Sequence, residues 1–194
     1  MNQIVKTAPW VPLNGSDIFY YKNVPYDGNC FFSAFAYSAN EALGNTHFTP
    51  LQIRLLAASQ ITESSYEDDL EIIKAEEPAA SDILGKCRNY RDLRKVVCDP
   101  YLIWANHLII FKTLHAFRNT FVDNFGLLIY YDNQHRYIKM PDNVDSFETL
   151  GMILYENSCH YQIMGFRDGA RMRNVFAEED VHLLTESLPC QACD

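Results

Sequence analysis

The feature that most constrains this chain is a cysteine placed directly before an apolar run. Asp-Gly-Asn-Cys at 27–30 precedes Phe-Phe-Ser-Ala-Phe-Ala at 31–36. The run predicts a helix that begins at Cys30, and Gly28 and Asn29 suit the turn before it because both tolerate positive φ. Unpaired N–H groups and aligned peptide dipoles at a helix start favour negative charge. We therefore expect a nucleophilic thiol at Cys30 with a pKa below about 8.5.

A histidine further along the chain supplies the proton-transfer group that such a thiol needs. His160 lies 160 − 30 = 130 positions after the cysteine and opens the strand-like run His-Tyr-Gln-Ile-Met at 160–164. Cysteine attack on a carbonyl requires a base for the thiol proton and an acid for the leaving amine, and histidine does both near neutral pH. The two motifs together predict a cysteine–histidine hydrolase.

The composition predicts one ordinary globular domain. The chain has 194 residues, of which 48% are hydrophobic and 21% are charged, enough for one well-buried core and too few for two ordinary domains. No apolar stretch is long enough to span a membrane. The net charge of −9 argues against binding along a nucleic-acid backbone, which needs a basic surface. We expect neither a membrane nor a nucleic-acid partner.

The start of the chain and its cysteines favour a reducing compartment. The first ten residues lack the basic start, apolar core and cleavage site of a secretory signal. The six cysteines are irregularly spaced, so we expect free thiols rather than a disulfide framework. We expect a cytoplasmic protein, located in the host cytoplasm if the chain is a viral or bacterial effector.

The order of predicted elements indicates an α+β domain in which helices come first and strands last. We expect an irregular N-terminal arm at 1–16, a catalytic domain at 17–168, and a tail or extension of that domain at 169–194. Predicted helices lie at 30–43, from 49 onward, and at 66–76, 89–98 and 104–114. Predicted strands lie at 18–21, 125–131, 137–140, 152–155 and 160–166.

The second helix has a clear predicted start and a predicted buried face. Thr49-Pro50-Leu51-Gln52 is a capping-box sequence with proline at the first helical position. Apolar residues then recur at helical spacing and predict a stripe packed on the core beside the first helix; they are Leu51, Leu55, Ala58 and Ile61.

Three separated motifs make the chain resemble the ovarian-tumour (OTU) family of cysteine proteases, which are papain-like deubiquitinases. They are Asp-Gly-Asn-Cys-Phe-Phe at 27–32, Trp104-Ala105 with Leu108, and Ile-Leu-Tyr at 153–155 leading to His160-Tyr161. The resemblance spans 18–166. It implies an OTU-like papain-type fold with helices packed on a small mixed or antiparallel sheet.

The resemblance also implies the site residues. Cys30 is the expected nucleophile and His160 its base, while the family places Asp27 and the loop amides at the oxyanion hole. A carboxylate aimed at a developing oxyanion would repel it. We therefore expect Asp27 to hold the loop, whose backbone amides do the donating.

The third member of the triad is where this chain departs from the family pattern. Two residues after the histidine the family commonly has aspartate or asparagine, and this chain has Gln162. Strand side chains alternate, so His160 and Gln162 face the same way and the glutamine carbonyl can accept the imidazole N–H. Asp17, upstream of the nucleophile, is the reserve candidate.

The resemblance implies a deubiquitinase that hydrolyses isopeptide bonds at the C-terminus of ubiquitin, polyubiquitin chains or a ubiquitin-like modifier. It requires no cofactor and no metal, and we expect a monomer. Two alternatives stay open: a catalytically weak ubiquitin-binding OTU-like module, and a viral polyprotein-processing protease.

The remaining histidines and cysteines are interpreted without a functional role. His107 and His115 lie in the apolar helix predicted at 104–114 or just after it, where packing is the ordinary role. Cys190 and Cys193 have metal-ligand spacing but form a single terminal pair, and Cys159 is read as a small buried residue. His47, His135 and His182 carry no motif.

Overall fold

The chain folds as an α+β domain in which the helices precede most of the strands, as predicted. The computed structural model describes residues 8–44, 47–134, 136–141, 147–156 and 160–177. Within these ranges there are six α-helices: α1 (Cys30–Leu43), α2 (Pro50–Ser59), α3 (Tyr66–Glu76), α4 (Ser81–Leu84), α5 (Tyr90–Cys98) and α6 (His107–Thr120). The strands of the same ranges are β1 (Trp10–Pro12), β2 (Phe19–Lys22), β3 (Phe125–Tyr131), β4 (Arg136–Met140), β5 (Thr149–Glu156), β6 (His160–Asp168), β7 (Arg171–Arg173) and β8 (Val175–Phe176).

The strands form one mixed sheet in the order β1-β2-β6-β5-β3-β4, with β7 added to β6 and β8 to β5. Only β3 and β5 run parallel among these pairs. The strands predicted at 152–155 and 160–166 are β5 and β6, which pair antiparallel with Glu156 opposite His160. The prediction of a small mixed sheet is confirmed.

The helices pack on one face of the sheet through an aromatic core. The ring centroids of Phe35 and Phe117 lie 5.3 Å apart, and Phe117 lies 5.0 Å from Phe125 of β3. These contacts join α1 and α6 to the sheet, and each fully buried aromatic stabilises the fold by roughly 1.5–3 kcal/mol. The opposite face carries a smaller cluster that includes Phe19 and Met164. The start of α1 is therefore held against the sheet.

The predicted start of α2 is confirmed, and its predicted buried stripe is half right, because Ala58 and Ile61 are buried whereas Leu51 and Leu55 are not. Thr49 and Gln52 form the capping box. Leu51 and Leu55 are 57% and 50% exposed, whereas the helix buries Ile53, Arg54, Ala57 and Ala58. The periodicity misleads because small alanines allow close packing on this face and because an arginine, normally a mark of the exposed side, is part of it.

The helix predicted from Trp104 begins three residues later. Asn106 is the N-cap of α6, and its side-chain oxygen accepts a hydrogen bond from the N–H of Ile109 at 3.0 Å. Asparagine is favoured at the N-cap, where its side chain accepts a hydrogen bond from an unpaired N–H group, and is unfavourable inside a helix. Trp104 and Ala105 consequently lie in the segment before the helix.

Both ends of the described chain join the sheet. β1 pairs with β2, placing Trp10 opposite Lys22, where the sequence predicted an irregular arm. β7 and β8 continue the sheet beyond residue 168. The described part of 169–194 is thus continuous with the domain. No helix in the described part of the chain is long and apolar enough to cross a membrane.

Candidate active site

The loop before α1 turns tightly against a neighbouring segment. β2 ends at Lys22, and the chain then leaves the sheet and reaches Gly28 with φ +69°. A Cβ at this position would lie 1.9 Å from the carbonyl oxygen of Pro100. Only glycine combines the positive φ with so close an approach, so this loop has one packing arrangement.

Cys30 is the first residue of α1 and is almost completely enclosed, with 2% of its surface exposed. Burial raises its pKa above the usual value, and this outweighs the backbone N–H groups of Tyr161, Phe31 and Cys30, which favour the thiolate. The charge of Asp27 raises the pKa further. The expectation of a lowered pKa is wrong, because the loss of solvation destabilises the thiolate more than the N–H groups at the helix start stabilise it.

His160 lies beside the nucleophile because β6 passes the start of α1. The N–H of Tyr161 bonds the sulfur of Cys30, and neighbouring Cα atoms along a chain are about 3.8 Å apart. The imidazole is 8% exposed. It contacts the ring of Tyr26, whose centroid lies 4.8 Å away, and Tyr26 in turn contacts Trp104 at 5.2 Å. The structure therefore brings the cysteine and histidine motifs together.

Asp27 contacts the loop rather than the reacting atoms. Its Oδ1 accepts a hydrogen bond from the N–H of Asn29 at 3.1 Å. An aspartate side chain bonded to the backbone two residues on is a common way of fixing a turn. This contact is the one expected of a loop-holding carboxylate.

Gln162 lies on the same strand as His160 and is 2% exposed. Tyr161 and Ile163 belong to the core on the helix side, while Met164 belongs to the opposite cluster. By the alternation of strand side chains, His160 and Gln162 share a face. Nδ1 of His160 and Oε1 of Gln162 are both buried, and Oε1 accepts no hydrogen bond from any described residue. Gln162 therefore shares the face of His160, but the predicted hydrogen bond to its Oε1 is not formed in this structure, and its orienting role stays a prediction.

The reserve candidate Asp17 lies at the wrong end of the sheet. The carbonyl of its neighbour Ile18 accepts a hydrogen bond from the N–H of Arg167 at 2.9 Å. Arg167 is 167 − 160 = 7 residues along β6 from His160, which is a distance of about 23 Å at the rise of a strand. Asp17 is too far away to orient the imidazole.

A cavity of about 240 Å³ shares one residue, Tyr161, with the candidate site. Tyr161 contributes to its wall and its N–H bonds the sulfur of Cys30, but neither Cys30 nor His160 lines the cavity. Aromatic and acidic side chains dominate the lining, which comprises Glu76, Glu77, Trp104, Ala105, Asn106, His107, Tyr131, Tyr155 and Tyr161. The pKa of Glu77 is raised by burial and then by the charge of Glu76. Two crowded carboxylates at an aromatic cavity favour a positively charged ligand group.

Solved structures share the fold of this chain. An OTU domain determined in complex with ubiquitin matches 93% of this chain and 91% of its own length, with a TM-score of 0.59 and 16% identity. The chain has the OTU fold. An OTU deubiquitinase from Wolbachia pipientis wMel matches 81% of this chain and 95% of its own, with a TM-score of 0.54 and 12% identity. No protein-family model and no curated protein matches the sequence.

The OTU fold confirms the resemblance inferred from the three motifs. The other residues considered from the sequence lie away from this site or outside the described chain. His47, His107 and His115 are exposed, and the residues outside the described ranges are His135, Cys159, His182, Cys190 and Cys193. Among the described residues, no group of three or more His, Cys, Asp and Glu side chains is placed to hold a metal ion.

Two residues of the candidate site were missed by sequence reasoning. Tyr26 covers the imidazole of His160, and its place immediately before the Asp27 motif was the available signal. Arg54 is fully buried and bonds the cysteine loop. A single sequence gives no signal that a charged residue within a helical pattern is buried.

Proposed function

We propose that this protein is a thiol-dependent deubiquitinase that hydrolyses isopeptide bonds at the C-terminus of ubiquitin or a ubiquitin-like modifier. The observation that carries the proposal is the hydrogen bond from the N–H of Tyr161 to Cys30. It places the histidine motif beside a cysteine at a helix start, on a fold shared with an OTU domain in complex with ubiquitin and an OTU deubiquitinase. A nucleophile and a base in this arrangement are the parts that acyl transfer from an amide requires.

The proposed reaction runs in two stages. His160 takes the thiol proton, the sulfur of Cys30 forms a bond to the carbonyl carbon, and the backbone N–H groups at the start of α1 stabilise the oxyanion. The C–N bond then breaks as His160 returns the proton to the lysine amine. A water molecule, deprotonated by His160, attacks the thioester and releases the modifier carboxylate and the thiol.

Two features of the site support a ubiquitin-type tail, Leu-Arg-Gly-Gly by resemblance to the family. Cys30 is only 2% exposed, so the reacting segment must be as slender as paired glycines. Glu76 and Glu77 line the cavity that shares Tyr161 with the site, and their carboxylates suit the arginine of such a tail. These are the contacts that would select a basic, glycine-ended peptide.

Turnover of ubiquitin carrying a C-terminal fluorophore tests this proposal. We expect the full chain to release the fluorophore and Cys30→Ala to release none while still binding ubiquitin. If the unmutated protein binds ubiquitin but releases no fluorophore, the enzyme proposal is contradicted and the binding-module alternative is supported. The glutamine at position 162 favours that alternative. Cleavage of a specific peptide junction without release from ubiquitin would contradict it in favour of polyprotein processing.

Gln162→Ala tests the orienting role of the glutamine. Oε1 of Gln162 accepts no hydrogen bond from any described residue, and we propose that it accepts one from the imidazole during turnover. Loss of that bond costs about 1–1.5 kcal/mol, so we expect kcat on the fluorophore substrate to fall about tenfold with little change in KM. Gln60→Ala, which alters a half-buried glutamine outside the site, is the matched control. An unchanged kcat for Gln162→Ala would show that this side chain does not orient His160.

A further inference from the structure

Arg54 is a fully buried guanidinium held almost entirely by uncharged oxygen atoms. Its exposed fraction is 0%, and within the described ranges no carboxylate lies at ion-pair distance from it. Nε bonds Asn29 Oδ1 at 3.0 Å and Nη2 bonds the Gly28 carbonyl at 2.5 Å. Nη1 bonds the carbonyls of Val97 and Ile103 at 2.7 and 3.0 Å. Burial lowers the pKa of Arg54 to about 10. Burying this charge costs free energy, which the hydrogen bonds to the guanidinium must offset.

These contacts fix the orientation of the loop in front of Cys30. Because the Gly28 carbonyl points to Arg54, the N–H of Asn29 in the same trans peptide plane points the opposite way, and there it bonds Asp27. Arg54 also holds the carbonyl of Ile103, beyond the Pro100 turn against which Gly28 packs. One side chain thus ties the loop to the segment that supports it.

The contact with Asn29 has a second effect, at the N-terminus of α1. Asn29 is the N-cap residue, where an asparagine oxygen ordinarily accepts a hydrogen bond from an N–H of the first turn. The N-cap residues Thr49, Asn89 and Asn106 of α2, α5 and α6 do this. Asn29 makes no such bond: its oxygen is bonded to Arg54, and its ψ of 7° departs from the extended backbone of those three residues, whose ψ values are 158°, 171° and 179°. The first-turn N–H groups therefore remain directed at the sulfur of Cys30, and they favour its thiolate.

We propose that Arg54 is a positioning residue of the nucleophile: by binding the side chain of Asn29 and the Gly28 carbonyl, it holds Asn29 in its non-capping conformation and reserves the first-turn N–H groups for negative charge. The charge is that of the sulfur and, during acyl transfer, of the oxyanion. The inference rests on the proposed function in taking Cys30 as the nucleophile. Its test needs no ubiquitin, so the two can fail separately.

The test compares two substitutions at position 29, both of which retain Arg54. Serine is a strong N-cap whose short side chain caps α1 instead of reaching Arg54, whereas alanine cannot cap. We expect Asn29→Ser to react with iodoacetamide at Cys30 about fivefold more slowly than Asn29→Ala near neutral pH, and to reach its half-maximal rate at higher pH. The adduct is quantified at Cys30 by peptide mass spectrometry on protein shown to be folded by circular dichroism.

Further variants separate this role from a merely structural one. Arg54→Lys keeps the charge but cannot bond both Asn29 and the carbonyls, so we expect a similar slowing, and adding Asn29→Ala to it should recover most of the rate. Asn89→Ala, at the N-cap of α5, should leave the Cys30 profile unchanged. Equal rates for Asn29→Ser and Asn29→Ala, or no recovery in the double variant, would overturn the inference. A fivefold difference between serine and alanine supports it even if ubiquitin is never cleaved.

Discussion

Replacing His160 with alanine is expected to lower kcat/KM on a ubiquitin substrate by about 10²–10⁴-fold, the usual contribution of a positioned acid–base group. The imidazole is the group beside Cys30 that can both accept the thiol proton and return it to the leaving amine. Burial raises the pKa of Cys30, so the thiol ionises poorly without help. The measurement is steady-state release of a C-terminal fluorophore. His115→Ala, which removes an exposed imidazole on α6, should retain full activity.

The same variant reveals the ionisation of the thiol itself. A pKa raised by burial means that less thiolate is present at any given pH. In His160→Ala we therefore expect alkylation of Cys30 to increase with pH and to reach half its maximum at a higher pH than free cysteine does. A midpoint at or below that of free cysteine would contradict the dominance of burial at this site.

Gly28→Ala is expected to destabilise the fold and to abolish turnover. Alanine at φ +69° costs about 1–2 kcal/mol, and its Cβ would lie 1.9 Å from the Pro100 carbonyl, which adds roughly 1–3 kcal/mol of overpacking. The loop must move to relieve the contact, and that movement displaces Cys30 from Tyr161. Urea unfolding measures the loss of stability, and the fluorophore assay measures the loss of activity.

Gly169 provides the matched control for this substitution. It also has positive φ, +58°, but a Cβ there would meet no atom within 4 Å. Gly169→Ala should therefore cost only the ~1–2 kcal/mol of backbone strain and should leave the fluorophore assay unaffected. If the two substitutions lower the free energy of unfolding by the same amount, close packing against Pro100 does not hold the loop.

The parts of the site that follow from local chemistry could be predicted from the sequence. An apolar run after a glycine-containing turn specifies the start of α1 at Cys30, and alternation along a strand puts His160 and Gln162 on one face. Both depend on neighbouring residues in the chain. The fold class followed for the same reason, because helical and strand periodicities occupy separate parts of the sequence.

What could not be predicted depends on contacts between distant segments. The pKa of Cys30 is set by how completely other elements enclose it, which no local pattern shows. Arg54 joins residues 28–29 to 97–103 and lies on the buried face of α2, whereas Leu51 and Leu55 of the predicted stripe are exposed. β1 is too short for a strand pattern and exists because the edge of β2 accepts it.

The most direct test of the account is covalent capture of Cys30 by ubiquitin carrying a thiol-reactive electrophile in place of its C-terminal carboxylate. The account predicts one adduct per chain, mapped to Cys30 by mass spectrometry, absent in Cys30→Ala and strongly slowed in His160→Ala. The exposed fraction of Cys30 is 2%, so capture by the ubiquitin probe should exceed that by the same electrophile without ubiquitin. An unmutated protein that is folded yet forms no adduct, or forms it on another cysteine, would contradict the assignment of Cys30 as the nucleophile of a deubiquitinase.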